Sequence, residues 1–106
     1  MGKLPTRFLK FQEDHRDVWQ TYEALGETAS KAGPLDVKTR ELIKLGMAAA
    51  VRGESAVKSH THRALEAGAT PEEVEHAVVI GVTTIGFPNM MTALNWVEDA
   101  IEAHEQ

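Results

Sequence analysis

Apolar residues recur along this chain at steps of three and four, the period of an amphipathic helix. From Thr6 to about Lys31 the stripe is Phe8, Phe11, His15, Val18, Trp19, Tyr22 and Leu25. It predicts one long helix, with a bend expected near Gly26 and an end at Gly33-Pro34. Aromatic side chains this dense point to packing rather than to a ligand site. Asp36 is a good N-cap for a second helix, Val37 to about Val51. Its stripe is Leu42, Leu45, Ala48 and Ala49, widened by Ile43, Met47 and Ala50. No charge follows Lys44 until Arg52, so this half is expected to be buried.

A short turn at Gly53 leads to a third helix, Glu54 to Ala67, with Val57, Thr61, Ala64 and Leu65 on its apolar face. Gly68 suits the left-handed position that closes a helix. Thr70-Pro71-Glu72-Glu73 then combines an N-cap, a proline at the first helical position and a capping-box acid. The fourth helix runs from Pro71 to about Ile85 and is apolar all round after His76. Such a helix belongs in the centre of a fold or in a subunit contact. Gly86-Phe87-Pro88 breaks the chain, and a fifth helix runs from Pro88 to about Ala103. Met91, Leu94, Val97 and Ile101 are its inward positions. The reading is all-α, five helices joined by short loops.

Composition narrows this picture. A length of 106 residues suits one domain over 1–106. So short a chain buries a limited core, and self-association is expected. Net charge is −5, which opposes a nucleic-acid surface. There is no cysteine, so disulfides and thiolate chemistry are outside the reach of this chain. The stretch MGKLPTRFLKFQED lacks the apolar core of a signal peptide, and no segment has transmembrane length. Cytoplasmic location, without membrane or nucleic-acid partners, is the expectation.

The stretch from Arg52 to Thr70 gathers the candidate chemistry. His60 and Glu41 lie on consecutive helices joined by a tight turn, so their faces can meet. A carboxylate that orients an imidazole suits proton transfer. Ideal straight helices would nevertheless offset the two by roughly 8 Å along the axis. A structural histidine bonded to a nearby oxygen is the competing reading. Arg52, Lys58 and Arg63 surround His60 in sequence, either as a solvated face or as a cradle for an anionic substrate. His60 and His62 are two apart and point to different sides of a helix, so they cannot chelate one ion together. His15, His76 and His104 lie on three other helices, and a metal site would need a tertiary coincidence; none is expected. There is no glycine-rich phosphate loop and no nucleophile elbow; Ser55 and Ser59 read as solvated or capping residues.

The order LDVKTRELIKLGMAAA, a turn, then HTHRALEAGATPEEVEHAVVIGVTTIGFPNMMTALNWV resembles the carboxymuconolactone decarboxylase and alkylhydroperoxidase D-like superfamily. The resemblance covers about residues 34 to 101, and GFPNMMTALN looks more like the decarboxylase branch. It implies an antiparallel five-helix bundle that assembles into homo-oligomers, with a trimer or hexamer expected. The peroxidase branch carries a glutamate, a CxxC pair and a histidine. Its glutamate and histidine fall on Glu41 and His60, and its cysteines on Gly53 and Ala56. Disulfide-based peroxide reduction therefore lacks its thiols. What the resemblance then implies is cofactor-free decarboxylation, or proton transfer, on a small carboxylated lactone or related acid. His60 would be the acid/base and Glu41 its orienting group, with Arg63, Arg52 or Lys58 binding carboxylates. The alternative is a non-catalytic relative that binds a small ligand or serves in assembly.

Overall fold

The computed structural model describes residues 6–106, so residues 1–5 of the stretch read as lacking a signal peptide lie outside the described residues. Every regular element in it is helical: α1 (Thr6–Asp14), α2 (Arg16–Ser30), α3 (Val37–Ala50), α4 (Glu54–Glu66), α5 (Pro71–Val79), α6 (Val82–Ile85) and α7 (Phe87–Glu105). The all-α reading holds, and two of the five expected helices prove to be broken. The chain divides into two compact units, one ending at Pro34 and one beginning at Leu35.

In the first unit the break falls at His15, not at Gly26, which lies inside α2. His15 has φ −130° and ψ 53°, outside the helical region. Its amide still donates to the Phe11 carbonyl and its carbonyl still accepts from Trp19, so the element kinks without losing those bonds. A straight helix would separate Phe8 and Trp19 by about 16 Å. The kink instead brings their rings edge to face with centroids 5.1 Å apart.

The second unit holds the core. α3 and α4 are antiparallel neighbours, α7 packs on α4 and α5, and α5 also packs on α3. Leu45, Val57, Ala64, Val74, Val78, Ala93 and Val97 are essentially inaccessible. Thr61 is also fully buried, and its hydroxyl donates to the Val57 carbonyl at 2.8 Å, which satisfies the one polar group on that face. On α7 the inward positions Val97 and Ile101 are as expected, but Met90, Ala93 and Ala100 are the other fully covered ones, while Met91 and Leu94 are half-buried.

Local signals set the helix ends. Asp36 accepts from the Thr39 amide at 2.8 Å. Thr70 and Glu73 form the reciprocal capping box, at 2.9 and 3.1 Å. Gly68 has φ +101°, and the chain closes α4 with bonds from Gly68 to the Leu65 carbonyl and from Ala69 to the Ala64 carbonyl. That is the paired closure of a left-handed C-terminal turn.

One expectation of burial is corrected and a second is narrowed. The second half of α3 buries only one face: Leu45, Ala48 and Ala49 are covered, whereas Met47 is 64% exposed, and Ile43, Ala50 and Val51 are also exposed. The fourth predicted helix stops at Val79 and resumes as α6 after Ile80-Gly81. A Cβ built on Gly81 would lie 3.0 Å from the Val78 carbonyl, a crowded contact that glycine avoids at this passage. Val74 and Val78 are buried, but Val79, Ile80 and Val82 are exposed. The segment that is apolar all round is thus not central in a single chain.

Candidate functional site

The site is built on the α3–α4 hairpin. α3 closes with Arg52, not Gly53, in the left-handed conformation, at φ 60°. The Arg52 amide donates to the Ala49 carbonyl and the Gly53 amide to the Ala48 carbonyl. Gly53, with extended backbone at φ −92°, is at once the end of that turn and the N-cap of α4. Because Gly53 is tied back to Ala48, α4 starts alongside the last turn of α3. The offset expected of ideal helices does not keep the two side chains apart.

The result is a direct bond. His60 Nδ1 and Glu41 Oε1 stand 2.7 Å apart. Their side chains are 19% and 14% exposed, so the pair is largely covered yet open to solvent on one side. A carboxylate accepting from Nδ1–H fixes the tautomer in which Nε2 is the unprotonated ring nitrogen. One turn either side of His60 on α4, Val57 and Ala64 are buried, and Ala56 is half-buried.

Among the described residues, none of the three candidate cations is bonded to His60 or Glu41. Lys58 sits two residues away on the helix and pairs with Glu54 at 3.1 Å. Arg52 is exposed at the turn. Arg63 is exposed as well, but it lies one turn beyond His60, where i,i+3 side chains are neighbours.

Other ionic chemistry lies outside the pair. Lys38 of α3 reaches Glu73 of α5 at 3.2 Å. The Thr70 amide, then Lys38, hold the Glu73 carboxyl below its ordinary range. Asp36 is likewise lowered, chiefly by the Thr39 amide it caps. A groove of about 440 Å³ runs between α3 and α5, lined by Leu42, Ile43 and Gly46 on one side and His76, Ala77 and Ile80 on the other. Neither His60 nor Glu41 lines it. Sequence reasoning missed both the Lys38–Glu73 link and the groove, because each depends on how α5 lies across α3.

The tertiary fold also brings His62 of α4 against His104 near the end of α7, with the two Nδ1 atoms 3.2 Å apart. Burial, and then the neighbouring His104, lower the His62 pKa. No group of three or more His, Cys, Asp or Glu side chains is arranged to hold a metal ion among the described residues.

Comparison with known proteins places this architecture. The model of the carboxymuconolactone decarboxylase family matches residues 16–99. The chain belongs to the carboxymuconolactone decarboxylase family. The crystal structure of a family member from Legionella pneumophila superposes with a TM-score of 0.84 at 29% identity, over 95% of this chain and 89% of that one. A family member from Thermotoga maritima superposes with a TM-score of 0.65 at 26% identity, over 91% and 93%. An uncharacterised protein from Haemophilus influenzae is 39% identical over 57 residues, which are 54% of this chain. The match spans 50% of that relative's length. No helix among the described residues is long and apolar enough to cross a membrane.

Proposed function

We propose that this protein is a cofactor-free decarboxylase or proton-transfer enzyme acting on a small carboxylated lactone or related acid, with His60 as its acid/base. The observation that carries the reading is the 2.7 Å bond between His60 Nδ1 and Glu41. In 4-carboxymuconolactone, breaking the bond to the departing carboxylate releases CO2. The electron pair left behind delocalises through the double bond onto the lactone carbonyl. Protonation at carbon then completes the reaction, and Nε2–H of a protonated His60 supplies that proton. Glu41 stabilises the imidazolium before transfer, and the ring regains its proton from water. The substrate is its own electron sink, so no cofactor enters. Arg63, Arg52 or Lys58 binds the substrate carboxylates in this reading, and Arg63, one helical turn beyond His60, is the first to test.

The reading extends to assembly: a homo-oligomer, a trimer or a hexamer, acting in the cytoplasm on an anionic small molecule. Exposed Ile43, Met47, Val79, Ile80, Val82 and Phe87 support subunit contacts, since apolar surface of that extent usually marks an interface.

The test is turnover of 4-carboxymuconolactone by the purified protein, followed as CO2 or enol-lactone. His60→Ala should lower kcat about a hundredfold or more. Absence of turnover in the unaltered protein rejects the decarboxylase reading, and an unchanged rate in the variant rejects the role of His60. The groove between α3 and α5 favours a second reading, a relative that binds a small apolar ligand without chemistry. No turnover together with a ligand-induced rise in Tm that Ala77→Trp removes would favour it. Thiol-based peroxide reduction is not proposed, since the chain has no cysteine.

A further inference from the structure

Among the described residues, the His62–His104 contact pairs two metal-ligating side chains outside the site just described, and the fold, rather than the helix period, creates it. The residues are 42 apart in sequence and lie on different helices. Their Nδ1 atoms are 3.2 Å apart, with ring centroids at 5.3 Å and planes inclined at 41°. Zinc–imidazole bonds are about 2.0–2.1 Å long, and a tetrahedral angle between two of them sets the nitrogens roughly 3.3 Å apart. The observed spacing therefore suits two lone pairs converging on one small ion as well as it suits a single hydrogen bond. Both rings reach solvent, so an ion has an entry path and water can fill its other positions. Glu66, one turn beyond His62 on α4, adds negative charge on the same side of the helix.

We propose that His62 and His104 form a two-histidine clip for a divalent late transition-metal ion such as Zn2+, joining α4 to the last turn of α7. Imidazole nitrogen selects ions of this class over the hard cations Mg2+ and Ca2+, which take oxygen ligands. Two protein ligands leave two positions of a tetrahedral ion for water, so binding is expected to be reversible rather than structural. His60 points to a different side of α4 and takes no part. The clip fastens the C-terminal turn of α7, the end of the helix whose earlier turns pack in the core.

The test is calorimetric titration of the full chain with ZnCl2 at neutral pH, with MgCl2 as the control. One saturable Zn2+ equivalent per chain is expected, with no Mg2+ uptake. His104→Ala and His62→Ala should each weaken Zn2+ binding at least tenfold, and His76→Ala should leave it unchanged. His104 is exposed, so its variant should stay folded, and an unchanged far-UV circular dichroism spectrum checks this. Hydrogen exchange gives a second readout: Zn2+ should slow exchange of amides in the last turn of α7 in the unaltered chain and not in His104→Ala. Absence of saturable Zn2+ uptake overturns the proposal. So does uptake of equal strength in His104→Ala, which would assign it to other surface histidines.

Discussion

His60 and Glu41 are joined at 2.7 Å although they stand 19 positions apart in sequence and on different helices. If the two act as one proton-transfer unit, their losses will not add. Glu41→Gln keeps the side chain's length and removes its charge, so it should lower kcat in the unaltered background and have little further effect once His60 is alanine. The measurement is a double-mutant cycle on kcat for lactone turnover. Independent, additive losses would separate Glu41 from the chemistry.

Arg52 occupies the left-handed position that closes α3, at φ 60°, where a side chain costs about 1–2 kcal/mol relative to glycine. Arg52→Gly removes that strain and restores some chain entropy to the unfolded state, so a net stabilisation of about 0.5–1 kcal/mol is expected. Gly68, at φ +101°, is the converse case: Gly68→Ala should destabilise by about 1 kcal/mol. Urea midpoints of the two variants should move in opposite directions.

Glu73 and Asp36 both have folded-state pKa values below their ordinary ones of 4.5 and 3.8. For a depressed carboxyl, the folded state binds fewer protons than the unfolded chain. Its contribution to stability is therefore complete above the unfolded pKa and is lost as pH falls through the folded one. The urea midpoint should hold steady from pH 7 to about 5 on their account and decline below pH 4.5. Glu73→Gln, which abolishes the Lys38 link and the charged half of the capping box, should flatten that decline. An equally steep acid limb in the variant would locate the effect elsewhere.

The exposed apolar run around Ile80 and Val82 should lie in a subunit contact of the proposed oligomer. Val82→Asp is expected to dissociate or unfold the particle. Sedimentation at micromolar concentration decides the matter, since a folded, stable monomer of 11.6 kDa for the unaltered chain contradicts the assembly.

The sequence by itself determined the helical class and most helix boundaries. These are set locally: Asp36 and the Thr70–Glu73 pair bond to amides three residues away, and Gly68 supplies a backbone conformation that needs no distant partner. Period and spacing also singled out His60 and Glu41 as residues able to meet. Their meeting was a tertiary decision, because it depends on how far the Arg52–Gly53 turn draws α4 back along α3. The kink at His15 carries no proline or glycine to announce it and places Phe8 on Trp19. Burial was decided in the same way: a run that is apolar all round suits the centre of a fold or a subunit contact, and within one chain the packing covers Val74 and Val78 but leaves Ile80 61% exposed. The Lys38–Glu73 link and the His62–His104 contact join residues 35 and 42 apart. No helical period relates such positions, and only the packing of α5 on α3 and of α7 on α4 could bring them together.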